Sequence, residues 1–381
     1  MTRSREQALD FLSRLGAQAA VAFHEGGVAA TIKAILGELG LGFRVDDFGN
    51  IIVQIRGRLP GSVPMAWVAH MDHPGFEAVA VEGDYLVGTA LGGIPAASFT
   101  AGVRLQVILE GGSRLPATTV GRHGEESERQ VLIRLERPQS LVLPRPVVFD
   151  LTDFKQDGEL IHMRAADDLA GCGSILAALA RLAGTDRLPP GDVYGVFTRA
   201  EEVGLVGARL LAEAGALPQD TLVVSVESSR ALPGAAVGGG PVVRVGDAAS
   251  TFSAEAEAVL MRARETLQAR TPLNPHSVRG DTEGFKAQRQ LMSGGVCEAS
   301  AFALYGYRVT GIALPLGNYH NGGTEGRIEA EYIHVDDYAW AVELMVEAAH
   351  RVNERGDTSF SRRLRQLPDE LRARLRDTAG K

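Results

Sequence analysis

The pattern of predicted strands and helices changes twice along the chain, and this change constrains the fold more than any other feature. Between residues 75 and 164, short runs of β-forming residues are separated by turn residues, and no helix of ten or more residues is predicted. On both sides of this segment, apolar strands alternate with amphipathic helices, a pattern typical of a largely parallel sheet covered on both faces. The sequence therefore predicts an α/β fold with a mostly parallel mixed sheet flanked by helices. We assign the catalytic α/β domain to residues 1–74 and 165–355, an inserted small all-β, barrel-like domain to 75–164, and a C-terminal tail to 356–381.

Composition limits the partners that the chain can have. The 381 residues suggest about two domains. Lys and Arg number 39 against 47 Asp and Glu, a net charge of −8, which disfavours a nucleic-acid partner. No uncharged apolar run reaches the roughly 18 residues of a membrane helix. Cys172 and Cys297 form no disulfide framework, and the charged N-terminal segment is unlike a secretory signal, so we expect a cytoplasmic location.

Polar side chains follow four of the predicted strands and begin one helix. In sheets of this kind, ligands bind beyond the carboxyl ends of the strands. The residues at these positions are His70 and Asp72 after 63–69, Glu201 and Glu202 after 192–199, Glu227 after 221–226, His320 after 309–316, and Asp167 with Asp168 at a helix start. We expect them to converge on one edge of the sheet.

Such a cluster favours a divalent metal ion, or a pair of them. Carboxylates packed together raise one another's pKa, and a cation removes that penalty. Histidine with carboxylate suits zinc, and also cobalt or manganese. Asp72 can accept the second ring N–H of His70, while one of Glu201 and Glu202 binds metal and the other acts as general base. A bridging aspartate would hold two ions about 3.5–4 Å apart, where they act together on a carbonyl and a water molecule.

Each motif on its own also fits a structural role. His70 with Asp72 fits a hydrogen-bonded core histidine, Asp167 with Asp168 fits a helix N-cap, and His320 fits a turn. Spacing alone leaves both interpretations open.

The motifs taken together resemble those of a known family. They are Ala69-His70-Met71-Asp72 with Gly75-Phe76, Ala166-Asp167-Asp168 with Gly171, Glu201-Glu202-Val203-Gly204-Leu205 with Gly207-Ala208, Gly240-Pro241-Val242-Val243 with Gly246-Asp247, and Tyr319-His320. In order and spacing this set is similar to the glutamyl/deblocking aminopeptidases, whose best-known members assemble as tetrahedral particles. The resemblance covers roughly residues 5–350 and places the chain in the wider clan of two-zinc aminopeptidases and carboxypeptidases.

The resemblance implies a role for each matching residue. His70 would ligate one metal ion and His320 the other. Asp167 would bridge the two, before a cis peptide bond to Asp168. The remaining ligands would be Glu202 and Glu227. Glu201 would be the general base that passes a proton from water to the leaving amine, and Asp72 would orient His70.

Four positions depart from the family pattern. His73 stands where an acidic residue is usual, Leu169 where arginine is usual, Glu227 where aspartate is usual, and Cys297-Glu298 where Asp-Ala is common. These changes keep every metal ligand and bear on substrate specificity. In related peptidases of the clan, glutamate at the position of Glu227 accompanies substrates other than free N-terminal peptides.

The resulting prediction is a two-metal aminopeptidase that acts on short peptides and forms a homo-oligomer, with no nucleic-acid or membrane partner. Two alternatives stay open. One is a related metal-dependent amidase, deacylase or carboxypeptidase, acting on N-acylated or C-terminal substrates. The other is a non-enzymatic binding protein on a peptidase scaffold.

Overall fold

Continuous apolar runs of the sequence become the central strands of an eight-stranded mixed sheet. We describe the fold from a computed structural model, which covers residues 2–270, 284–354 and 359–379. Within the 65–70 run, every residue is buried, because helices cover both faces of the sheet. The strands of the described residues are β1 (Phe43–Val45), β2 (Ile51–Ile55), β3 (Met65–His70), β4 (Gly75–Glu82), β5 (Tyr85–Leu91), β6 (Arg104–Ile108), β7 (Arg114–His123), β8 (Gln130–Leu135), β9 (Arg145–Phe149), β10 (Lys155–Asp157), β11 (Leu160–Met163), β12 (Val193–Thr198), β13 (Leu222–Arg230), β14 (Val242–Arg244), β15 (Gln288–Gln290), β16 (Arg308–Leu316) and β17 (Glu331–His334).

Helices precede the sheet, alternate with its strands and follow it. Those of the described residues are α1 (Thr2–Gly16), α2 (Gly26–Glu38), α3 (Ala166–Ala183), α4 (Val206–Glu213), α5 (Ala254–Arg270), α6 (Glu298–Leu304), α7 (Val335–His350), α8 (Ser359–Arg365) and α9 (Asp369–Asp377). Within the part of the chain that the structure describes, no helix is long and apolar enough to cross a membrane.

The strand order of the sheet is β1-β2-β12-β3-β13-β16-β14-β15. The four strands β12, β3, β13 and β16 are parallel to one another, so their carboxyl ends lie at one edge. β1 and β2 extend the sheet antiparallel on one side, and β14 runs antiparallel to β16 on the other. The predicted mostly parallel, mixed sheet is confirmed.

Alternate residues of a central strand pack against different layers of helices. Trp67 of β3 lies in a large core with Leu12 of α1 and Ile175 of α3. Its neighbour Val68 points to the other face and packs in a second core with Leu211 of α4 and Phe302 of α6. This two-residue period is the one that a strand buried on both faces requires.

The predicted β insert contains a closed barrel. Its strands follow the order β4-β5-β8-β7-β6-β9, and all pairings are antiparallel. Phe76, Phe99 and Phe149 fill it, with edge-to-face contacts at ring-centroid distances of 6.0 and 6.1 Å. The barrel-like fold of the insert is confirmed. After the barrel, β11 pairs with β10 on one side and with β17 on the other in a separate three-stranded sheet. The domain boundaries at 74/75 and 164/165 stay a prediction.

Candidate metal centre

The parallel strands bring the predicted site residues to one edge of the sheet. His70 is the last residue of β3, and Glu227 lies in the carboxyl-terminal half of β13. Glu202 follows β12, and His320 follows β16. Asp167 is the second residue of α3, which starts at the same edge. We call these five residues the metal centre; Glu201 lies beside them.

Asp167 lies between the two histidines. Its Oδ1 is 3.3 Å from Nε2 of His70, and its Oδ2 is 3.5 Å from Nε2 of His320. His70 Nε2 is also 3.3 Å from Oε1 of Glu227, and His320 Nε2 is 3.3 Å from Oε1 of Glu202. The centre thus has two halves, each with one imidazole and one glutamate, and Asp167 contributes one oxygen to each half.

Ligand-type atoms are close enough for a metal ion in more than one combination. Three sets of three have such atoms within 4.8 Å of one another: His70 with Glu201 and Glu202, His70 with Asp168 and Glu227, and Asp167 with Glu202 and His320. Among the described residues, Asp167 Oδ1 and Asp168 Oδ2 are buried without a hydrogen-bond partner. Buried, unpartnered carboxylate oxygens fit a bound cation.

Each histidine of the centre is held by its other ring nitrogen. Nδ1 of His70 donates to the carbonyl oxygen of Asp72 at 3.1 Å, and Nδ1 of His320 donates to the carbonyl oxygen of Gly93 at 2.5 Å. Gly93 follows β5 of the barrel, so the β insert helps to orient a residue of the centre. With Nδ1 protonated, both rings present an unprotonated Nε2 for a metal ion.

Asp72 contacts His70 mainly through its backbone. Its carboxylate Oδ1 lies 3.6 Å from Nδ1 of His70, farther than its carbonyl oxygen. The carboxylate instead accepts the backbone N–H groups of Glu201 at 2.9 Å and Glu202 at 3.0 Å. Asp72 therefore fixes the turn that carries both glutamates, in addition to its contact with His70.

The turns at this edge have unusual backbone conformations. Ala200, just before Glu201, has φ +55°, and His320 and Asn321 have φ +53° and +63°. Non-glycine residues in this region are uncommon and cluster at functional sites. The Asp167–Asp168 peptide bond is cis, as the family resemblance implies.

The centre holds more buried acid than can be ionised without a cation. Burial raises the pKa of Glu201 well above its ordinary value, and Glu202 and Glu227 raise it further. Burial also raises the pKa of Glu227 to about 7. For His320, burial lowers the pKa, but Glu202 and Asp167 outweigh this effect and raise it to about 11. Protons thus occupy positions that a divalent cation would neutralise, and a metal ion must displace them.

A cavity of about 590 Å³ opens over the centre. That volume lies within the usual range of small-ligand sites. Its walls include Leu205, Leu232 and Met292 and the half-buried Tyr319, whose ring stacks on His320 at 3.7 Å. The arrangement can receive a small peptide with one of its bonds at the metal centre.

Comparison with known families decides the class of the protein. The profile of the M42 glutamyl aminopeptidases matches residues 144–344, more than half of the chain. The chain belongs to the M42 glutamyl aminopeptidase family. M42 aminopeptidases are metal-dependent, so this M42 chain is a metallopeptidase with metal-dependent aminopeptidase activity. The recognition of the family from its motifs is confirmed. No match is found among curated proteins.

Solved structures share the fold of this M42 chain over nearly its whole length. A TET aminopeptidase from a marine sediment archaeon of the Thaumarchaeota is 20% identical, covers 91% of this chain and 97% of its own, and gives a TM-score of 0.74. An aminopeptidase from the archaeon Desulfurococcus kamchatkensis is 21% identical, with 93% and 99% covered and a TM-score of 0.72. The TET1 peptidase of Pyrococcus horikoshii is 23% identical, with 90% and 99% covered and a TM-score of 0.72. At these identities the likeness shows the fold.

Sequence reasoning missed two residues that shape the centre of this M42 peptidase. The carboxylate of the fully buried Glu331 accepts the backbone N–H groups of Asp167 at 3.0 Å and His320 at 2.8 Å. His73, which the sequence analysis names only as a departure from the family pattern, donates from Nδ1 to the carbonyl oxygen of Asp167 at 2.5 Å. Glu331 starts a short strand 164 residues after Asp167 and 11 residues after His320, and nothing local to it signals this role.

Proposed function

We propose that this chain removes N-terminal residues from short peptides with two divalent metal ions, zinc in the first place and cobalt or manganese as alternatives. The observation that supports two ions is the position of Asp167, which offers one carboxylate oxygen to each histidine. One ion would be held by His70, Asp167 and Glu227. The other would be held by His320, Asp167 and Glu202.

The spacing of the ligand atoms supports this assignment. Atoms bound at about 2.0–2.2 Å to a tetrahedral ion stand roughly 3.3–3.6 Å apart. Within each half of the centre, the imidazole nitrogen lies 3.3 to 3.5 Å from its two carboxylate oxygens. Glu201 is farther away, with Oε2 at 4.0 Å from His70 Nε2. This difference supports ligand roles for Glu202 and Glu227 and leaves Glu201 free for proton transfer.

When bound, the two ions polarise the scissile carbonyl and lower the pKa of water. The proton transfers are carried out by side chains of the protein. Glu201 takes a proton from the attacking water and gives it to the leaving amine. Its backbone N–H is fixed by Asp72, and burial raises its pKa, which brings its basicity nearer to that of a base at neutral pH.

Assembly and substrate length are also part of the proposal. The TET1 peptidase of Pyrococcus horikoshii assembles into a tetrahedron or a large octahedral shell. We propose that this chain likewise forms a homo-oligomer and acts on short peptides. The cytoplasmic location stays a prediction.

The test combines metal content with a substrate panel. Purified protein is loaded with zinc, cobalt or manganese, its metal content is measured by mass spectrometry, and it is assayed on short peptides with free or acetylated N-termini. The proposal expects about two ions per chain and cleavage of free N-termini alone. Cleavage of acetylated or C-terminal substrates alone would replace it with the deacylase or carboxypeptidase alternative, and no metal with no turnover would favour the binding protein.

A further inference from the structure

His73 is a buried histidine that packs beside the metal centre. It lies three residues after His70, in the turn that follows β3, and it is 3% exposed. Its ring meets the ring of His320 edge to face, with the centroids 6.3 Å apart. Its backbone N–H donates to the carbonyl oxygen of Ala20, which fixes the turn from outside the centre. The imidazole therefore reaches the centre from a firmly held backbone.

The two ring nitrogens of His73 contact two different segments of the centre. Nδ1 donates to the carbonyl oxygen of Asp167 at 2.5 Å. Nε2 lies 3.0 Å from Oδ1 of Asn321, the residue that directly follows His320. The amide nitrogen of Asn321 in turn donates to the carbonyl oxygen of Arg164 at 2.8 Å. One imidazole thus links the start of α3 to the turn that carries His320.

Asp167 depends on such contacts because its own helix does not hold it. The dihedral angles of Asp167 (φ −84°, ψ 106°) and Asp168 (φ −122°, ψ 36°) are not helical, although both residues lie in the first turn of α3. Oδ1 of Asp167 has no hydrogen-bond partner among the described residues. Its backbone is held instead, with the N–H bound by Glu331 at 3.0 Å and the carbonyl oxygen bound by His73. The position of the carboxylate therefore follows from these two backbone contacts.

The contact with the carbonyl oxygen of Asp167 needs a hydrogen-bond donor at residue 73. An imidazole N–H supplies one, whereas an ionised carboxylate only accepts hydrogen bonds. His73 stands where an acidic residue is usual in the family pattern. An ionised acid at this position could not donate to the carbonyl oxygen, so the contact follows from the residue that this chain carries.

We infer that His73 is a positioning residue, which sets where the carboxylate of Asp167 stands between the two halves of the centre. This inference rests on the proposed two-metal function. Asp167 offers one oxygen to each half, so a displaced carboxylate would disturb both halves at once. Hydrogen-bond partners that orient metal ligands typically contribute about 10–100-fold to metal affinity or activity. We expect His73 to contribute an effect of this size.

Two amide variants separate the two contacts of the ring. In His73→Asn the side-chain nitrogen stands near the position of Nδ1 and can still donate to Asp167. In His73→Gln it stands near the position of Nε2 and faces Asn321 instead. At saturating metal, His73→Gln should lower kcat on a short peptide with a free N-terminus about 10–100-fold with KM within about twofold, while His73→Asn keeps most of kcat. A loss of packing alone would not restore activity in the Asn variant.

Electron paramagnetic resonance of the manganese-loaded protein reports the bridge without any turnover. Two manganese ions about 3.5–4 Å apart and joined by one carboxylate give a spin-coupled spectrum, unlike that of isolated ions. Wild type and His73→Asn should show the coupled spectrum, and His73→Gln should show that of isolated ions. His24→Ala is the matched control, because it removes an imidazole that is bound to Glu77 at 2.7 Å, and it should change neither the spectrum nor kcat.

An active wild type with a coupled spectrum, together with a His73→Gln variant that matches it, would overturn the inference while the proposed function stands. A wild type that binds no pair of ions would overturn the proposed function instead. In that case, crystal structures of the metal-free variants decide the inference. The carboxylate of Asp167 should move by about 1 Å or more in His73→Gln and keep its position in His73→Asn, and an unmoved carboxylate in both would overturn the positioning role.

A variant of the partner residue covers the case in which His73→Gln does not fold. Asn321→Ala leaves the contact of Nδ1 with Asp167 and removes the partner of Nε2. It should lower kcat in the same direction and by a smaller factor than His73→Gln, because the ring keeps one of its two anchors. An unchanged kcat in Asn321→Ala would count against the link through His73.

Discussion

The metal centre and the buried arginine near it hold charge in different ways. At the metal centre, imidazoles and carboxylates lie 3.3 to 3.5 Å from one another, and their pKa values are shifted by burial and by that proximity. Arg244 instead donates from Nη1 to the neutral hydroxyl of Ser229, and its charge acts to lower the pKa of Glu227. The difference teaches that a dense cluster of acid and imidazole calls for metal ions, because one neighbouring guanidinium offsets only a part of its negative charge.

The largest expected effect separates the base from the ligands. Glu201→Gln removes a proton acceptor without removing one of the closer ligand atoms. We expect kcat to fall about 10²–10⁴-fold while metal content stays near that of the wild type. Activity assays with metal analysis check this. Glu136→Gln, an exposed glutamate of the insert, is the control, and full activity of Glu201→Gln would show that another group is the base.

His320→Ala tests whether the two halves of the centre bind separately. It removes the only imidazole of one half, so we expect the loss of about one ion per chain together with activity, while the half containing His70 keeps its ion. Metal analysis after dialysis measures the stoichiometry, with His123→Ala of the barrel as control. Retention of the full metal content would contradict the assignment of His320.

Glu298, a buried carboxyl near the metal centre, tests how buried acid affects the stability of the metal-free protein. Burial raises the pKa of this carboxyl from 4.5 to about 8, and its Oε2 has no hydrogen-bond partner among the described residues. The native state therefore binds the proton that the unfolded chain has already lost in the window between these two pKa values. The stability of the metal-free protein should then fall as pH rises through this window and level off above it.

Glu298→Gln has no such proton to lose. Between pH 5 and 8, the metal-free wild type should lose roughly 2–4 kcal/mol of unfolding free energy relative to this variant. Urea unfolding at a series of pH values measures the difference. Parallel pH profiles for the two proteins would mean that Glu298 titrates normally in the fold.

The sequence predicted those parts of the molecule that follow from the spacing of apolar residues and from the direction of the strands. Apolar runs and amphipathic helices identified the sheet, and the rule that ligands bind at carboxyl ends of parallel strands gathered His70, Glu227 and His320. The absence of long helices in residues 75–164 was enough to predict the β insert. The short strands β14 and β15 were missed because three residues are too few to show the alternation of apolar and polar residues that indicates a strand.

The rest depends on contacts between distant segments. Glu331 accepts the backbone N–H of Asp167 from a strand 164 residues farther along the chain, and Gly93 reaches His320 from the barrel. Arg244 stands in the run Pro241-Val242-Val243-Arg244-Val245, where a charge among apolar strand residues was a signal that could have been weighed. Its hydrogen bond to Ser229 of β13 is visible only in three dimensions.

The most direct test of the account is anomalous diffraction at the zinc edge from crystals of the zinc-loaded protein. We expect two peaks about 3.5–4 Å apart, one beside His70 and Glu227, the other beside His320 and Glu202, with one oxygen of Asp167 facing each. A single peak, or two peaks of which neither adjoins Asp167, would contradict the bridged centre on which the proposed function rests.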